Sequence, residues 1–186
     1  MTKKTMLLFK QLIRDSSSSM HDKSLIWAVA TIAFAGAFRI HEILAKLEST
    51  FDPDFTLLAE DVHTSTVCEK TVLHFKLKCP KESKVTAATV VDVFENDSPL
   101  CPVKAYKRWV KLRLGDPKLP WFRLESGTPL TGAKLNKVMK ELLGPHTDPS
   151  VGFFASHSFR KGNRHSINAR ERRFRRPGNN GHRALV

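Results

Sequence analysis

Two short stretches gather side chains whose types and spacing could do chemistry. In Gly36-Ala37-Phe38-Arg39-Ile40-His41-Glu42-Ile43-Leu44 an arginine stands just past an apolar segment, with a glutamate at i+3. In His157-Ser158-Phe159-Arg160-Lys161-Gly162 a histidine precedes an arginine by the same interval. A guanidinium offers planar, paired donors that stay charged at any physiological pH, which suits oxyanions. An imidazole can move a proton or donate a hydrogen bond near neutrality. Each residue also has a plainer reading. Arg39 with Glu42 has the spacing of a helix ion pair worth about 0.2–0.5 kcal/mol. An H-x-x-R arrangement recurs by chance, and a lysine such as Lys84, taken alone, is most simply a solvated turn residue.

The charge balance favours the chemical reading. Lys and Arg number 31 against 18 Asp and Glu, a formal net charge of +13. An excess of that size points to a polyanionic partner, most often nucleic acid, because each neutralised phosphate releases condensed counterions. At 186 residues the chain suits one domain with a real core. Hydrophobic content of 41% and charged content of 26% argue against wholesale disorder. Cys68, Cys79 and Cys101 form no CxxC pair, which excludes a disulfide framework or zinc knuckle and suits a reducing compartment. No secretory signal follows Met1. The apolar run over residues 25–38 is shorter than the roughly 20 residues a bilayer span needs, so no membrane partner is expected. No clustered Asp/Glu set has metal-ligand spacing, which makes a metal-dependent nuclease the weakest reading.

The elements that must position these boxes follow from periodicity and punctuation. Residues 2–14 predict an amphipathic helix with Met6, Leu7, Phe9, Leu12 and Ile13 on its apolar side. Residues 16–19 read as a polar loop, and Asp22 or Ser24 is the expected N-cap of a buried helix over residues 25–35. A third helix is expected from Arg39, carrying Ile40, Ile43, Leu44 and Leu47. Asp52-Pro53-Asp54 is a turn. Residues 73–78 alternate Leu73, Phe75 and Leu77 with His74, Lys76 and Lys78, a half-buried strand. A turn over residues 80–84 and a Val/Thr-rich stretch over residues 85–94 complete a hairpin or small sheet. Cys101-Pro102 opens a helix to Leu114 with Val103, Tyr106, Val110 and Leu114 inward, ended by Gly115-Asp116-Pro117. Thr131 caps a further helix to Leu143, stopped by Gly144-Pro145. Trp27, Trp109 and Trp121 read as core, while His41 and His74 read as structural or surface residues. Helices, a small sheet, then helices make an α+β arrangement.

In these boxes, their order and their spacing, residues 1–162 resemble the catalytic domain of the tyrosine recombinases, the phage-integrase type of DNA strand-exchange enzyme. The family carries a G-x-R-x-x-E-like first box and an H-x-x-R second box, and Ala37 stands where its glycine usually is. The closest flavour is that of recombinases borne by eukaryotic mobile elements. The resemblance implies a mostly helical, integrase-like α+β catalytic domain with a small antiparallel β-sheet, incomplete at the C-terminus. It implies double-stranded DNA as partner, allows an oligomer on DNA, and requires neither cofactor nor metal. In such enzymes a tyrosine attacks a DNA phosphate, leaving a 3′-phosphotyrosine and a free 5′-hydroxyl. By resemblance Arg39 and Arg160 would stabilise the charge gathered on the non-bridging oxygens. His157 would handle the proton or bond the phosphate. Lys84 would protonate the departing 5′-oxygen, with Lys81 as the other choice for that hairpin lysine. Glu42 would orient Arg39.

The pattern fails after Gly162. The family continues with a third box and the nucleophilic tyrosine, whereas the one tyrosine here is Tyr106, within a helix-like segment ahead of the second box. Residues 163–186 hold seven arginines (Arg164, Arg170, Arg172, Arg173, Arg175, Arg176 and Arg183) and a single acid, Glu171. This tail shows no apolar period and is expected to be disordered. Codons able to encode it, read one nucleotide later, can spell Gly-Val-Ser-Asp-Asp over residues 172–176 and Ala-Ile-Gly-Arg-Trp from Gly181 onward. Both resemble what the family places there, so the tail reads as out of frame. The expectation is a DNA-binding remnant of a recombinase, inactive without its nucleophile. The alternative is a non-catalytic basic nucleic-acid-binding protein. Nuclear residence rests only on a DNA partner and the basic run at residues 172–176.

Overall fold

The computed structural model describes residues 1–78, 89–113, 118–146 and Phe159. Helix α1 (Lys3–Asp15) starts at Thr2, whose hydroxyl accepts the Thr5 N–H at 3.1 Å. Met6, Phe9 and Ile13 lie on one stripe and are buried. Leu7, expected in that set, is 46% exposed. It follows Met6 by one residue, about 100° around the helix, and so leaves the buried stripe.

Helix α2 (Met20–Ala35) begins a turn earlier than the apolar pattern implies. Its cap is Ser19, whose Oγ accepts the Asp22 N–H at 3.2 Å, rather than Asp22 or Ser24. The polar residues His21, Asp22 and Lys23 form the first turn, where no apolar period marks them. Asp22 also accepts the Glu125 N–H at 2.8 Å, which ties that turn to the loop around residue 125. Leu25, Ile26, Ala28, Val29 and Ile32 are buried around most of the helix. α2 packs on α1 and on α4 (Pro102–Val110).

Three antiparallel strands run in the order β1-β2-β3: β1 (Val62–Val67), β2 (Lys70–Leu77) and β3 (Thr89–Phe94). β2 takes in the expected strand from residue 73 and starts three residues earlier, and β3 takes in the second half of the expected 85–94 stretch. The turn over 80–84 and residues 85–88 lie outside the described residues. Leu73, Phe75 and Val93 form the core face. β1 was not marked by its residues. Only Val62 in it is buried, so the alternation that signals a half-buried strand is missing. Its turn to β2 places Cys68 and Glu69 at φ +48° and +63°. Both central residues of a type I′ turn need positive φ, and Asn-Gly is the usual signature.

On α4, Val103, Tyr106 and Trp109 face inward. Trp109 is fully buried against Trp121 (ring centroids 5.5 Å) and Phe122 (5.2 Å), so both tryptophans are core. α4 stops at Val110, short of the expected end; Leu114 and the Gly115-Asp116-Pro117 stop lie outside the described residues. α5 (Gly132–Leu143) starts as expected at Thr131, whose side chain accepts the Lys134 N–H at 3.2 Å, and buries Leu135, Met139 and Leu143. Among the described residues no helix is long and apolar enough to cross a membrane.

Candidate functional site

The first box is built by the way α2 ends. Gly36 caps the helix, Ala37 turns into the left-handed region at φ +52°, and the Phe38 N–H bonds the Ala33 carbonyl at 3.2 Å. This is a Schellman closure, in which the residue after the cap is usually glycine. The departure at Ala37 thus has a structural meaning. An alanine there carries the Cβ strain that glycine would not. Ala37→Gly is expected to raise stability by about 0.5–1 kcal/mol, since relief of that strain outweighs glycine's greater unfolded-state freedom. Denaturant unfolding would show it, and a loss of stability would contradict the strained backbone.

Phe38 then drops into the core. It is 2% exposed and meets Phe75 of β2 edge to face, centroids 5.4 Å apart. Its ring also lies where a Cβ on Gly36 would stand, with Cε2 2.3 Å from that position, so glycine is needed at 36 for packing. Anchoring Phe38 leaves its neighbour Arg39 at the surface as the N-cap of α3 (Ile40–Ile43), its side chain 53% exposed.

The expected third helix is this single turn. Leu44 is extended and Ala45 bridges to Thr131 at the head of α5, while Leu47 is 59% exposed. The shortness matters for Arg39. Glu42 folds back on the helix start: its Oε2 accepts the Arg39 N–H at 2.7 Å, and its Oε1 accepts from Nη1 at 3.1 Å. One carboxylate therefore fixes both the backbone and the guanidinium. Among the described residues Glu42 alone bonds the Arg39 side chain, which leaves donors of the guanidinium free for an anion.

A second anchor has no local signature in the sequence. Lys78, directly after β2, sits 2.8 Å from Asp61 Oδ2 and donates to the Pro53 carbonyl at 2.6 Å. Asp61 is buried and also accepts the Leu58 N–H at 2.9 Å. The pair holds the end of β2 at the point where the chain enters residues 79–88. Lys84 and Lys81 lie in that segment, outside the described residues, as do His157 and Arg160. Phe159, between the last two, is fully buried in the same core cluster as Phe38. No local signal marks the Asp61–Lys78 pairing, because its partners are brought together by the sheet.

Tyr106 is no nucleophile. It is 6% exposed, packed 6.1 Å from Trp109 and 6.2 Å from Trp121 by ring centroids. Burial pushes its phenol up to about 12, only partly offset by the nearby Arg113. The phenolate an attack requires is disfavoured there.

No protein-family model and no curated protein matches the sequence. Solved structures do. The chain is similar to XerH site-specific recombinase bound to its difH substrate in a pre-cleavage complex, with TM-score 0.59 and 13% identity over 92% of this chain. It is also similar to FLP recombinase in a Holliday junction complex, with TM-score 0.57 and 10% identity over 90% of this chain. It spans 43% of the first chain's length and 40% of the second's. The mixed helical architecture with its small antiparallel sheet is the fold of a recombinase catalytic domain.

Proposed function

We propose that this chain binds double-stranded DNA and cradles a single backbone phosphate between Arg39 and Arg160, without cutting it. The observation that carries the reading is Arg39 itself, a half-exposed guanidinium clamped by Glu42 at the start of α3 on a recombinase-like fold. The net charge of +13 supports a polyanionic partner. In a recombinase of this type the two guanidinium groups stabilise the pentavalent phosphate, His157 bonds or protonates it, and Lys84 or Lys81 protonates the departing 5′-oxygen. This chain has those side chains but only the buried Tyr106, which favours binding over cleavage. No cofactor or metal enters the chemistry.

The same reading makes the chain a mobile-element recombinase catalytic domain over residues 1–162, followed by an out-of-frame, Arg-rich tail. It would work in the nucleus and assemble on DNA as an oligomer. Two tests decide it. Arg39→Cys and Arg160→Cys, introduced together, should be joined by a short bis-maleimide, with the linked peptides identified by mass spectrometry. Cross-links from position 39 that never reach position 160 would sink the cradle. A frame-restored version offered a nicked suicide duplex should form a covalent protein–DNA adduct without magnesium. Cleavage that needs magnesium would instead mark a nuclease.

A further inference from the structure

The outer face of the sheet, opposite Leu73 and Phe75, carries a hydrogen-bonded chain across all three strands. His74 of β2 sits in its middle. Its Nδ1 lies 2.7 Å from Asp92 Oδ1 on β3, and its Nε2 lies 2.7 Å from Ser65 Oγ on β1. The register places these residues: His63, His74 and Asp92 form one row across the sheet, and Ser65, Val72 and Phe94 form the next.

The chemistry of the partners sets the proton positions. A carboxylate only accepts, so Nδ1 carries the imidazole proton toward Asp92. Nε2 is then a lone-pair acceptor, and Ser65 donates its hydroxyl proton to it. A nucleophile bonded to a base, itself oriented by a carboxylate, is the arrangement that activates serine on unrelated folds. The groups are reachable: the His74 side chain is 28% exposed and that of Asp92 45%. On the same face Val67, two residues along β1 from Ser65, offers apolar surface at 50% exposure, and Phe94, at the far end of the Ser65 row beyond the buried Val72, is 54% exposed. That surface would seat the aryl or acyl part of a substrate.

We propose that Ser65, His74 and Asp92 form an acyl-accepting triad for small activated esters. Ser65 Oγ adds to the ester carbonyl as its proton passes to His74 Nε2. The carbonyl re-forms, the C–O bond to the leaving alcohol breaks, and His74 returns the proton to that alcohol. Water, deprotonated by His74, then releases the acid and restores Ser65. The oxyanion would rely on N–H groups along the outer edge of β1, which among the described residues pairs only with β2. A missing preorganised donor costs about 10²–10³ in rate, so acylation rather than rapid turnover is the measurable event. This site is separate from Arg39, because Phe38 meets Phe75 on the core face whereas His74, the neighbouring residue, points to the opposite one.

The test treats the full chain with p-nitrophenyl acetate and with a fluorophosphonate probe. In the second case Ser65 forms the P–O bond as fluoride leaves. Peptide mapping should place both adducts on Ser65. Ser65→Ala should abolish them, and His74→Gln should slow labelling by about 10²-fold or more. Circular dichroism and DNA binding of both variants should match the parent, which separates loss of the base from loss of fold or of the phosphate site. Adducts elsewhere, no adduct, or Ser65 labelling that is indifferent to His74→Gln would each overturn the proposal.

Discussion

Phe38→Ala is expected to cost about 3–5 kcal/mol of stability, the range for a fully buried aromatic truncated in a packed core. At about 2–4 °C per kcal/mol for a domain of this size, its melting temperature should drop by about 6–20 °C. Phe38 fills three roles with one ring. It packs edge to face on Phe75, it occupies the space above Gly36, and it follows the left-handed turn at Ala37 that closes α2. Arg39 is covalently next. The variant should therefore lose Arg39-dependent DNA binding even at temperatures where most of the protein stays folded. Leu7→Ala, on the same helical bundle but 46% exposed, should change stability by about 0.5 kcal/mol or less. Equal effects of the two substitutions in a thermal melt would show that Phe38 does not anchor the first box.

The second large effect concerns salt. If binding rests on 6–10 phosphate contacts, affinity for duplex DNA should fall about 10³–10⁵-fold between 50 and 200 mM salt. The same loss should be seen on unrelated duplex sequences, because phosphate contacts carry no base information. Arg39→Ala should reduce the slope of log K against log salt by about one, the signature of a lost phosphate contact. Glu42→Gln keeps the size of the side chain but removes the charge that clamps Arg39, so it should weaken binding with little change in that slope. A titration by fluorescence anisotropy at several salt concentrations reads all of this. A flat salt dependence would remove the phosphate cradle and with it the recombinase reading.

Much of the site's local frame was legible in the residues. The buried α2, the Thr131 cap of α5 and the two-faced β2 all follow from periodicity or cap chemistry within a few positions. Where local rules competed, they did not fix the element boundaries. α2 starts at Ser19 because a polar first turn can be helical without an apolar period to show it. α3 stops after one turn because Leu44 and Ala45 go instead to an extended bridge with Thr131. β1 is nearly all exposed, and so has no alternation to detect.

Residue order alone determined that Arg39 and Glu42 would be neighbours at a helix start, since three positions along one chain fix that reach. It also determined the excess positive charge. Only the tertiary structure decided that Asp61 holds Lys78 at the end of β2, and that Ser65, His74 and Asp92 meet on one sheet face. The physical reason is range. Caps and periods are set by backbone geometry over one or two turns. A contact between partners 17 or 18 positions apart exists only after strands pair and a core closes over Phe38, Phe75 and Phe159.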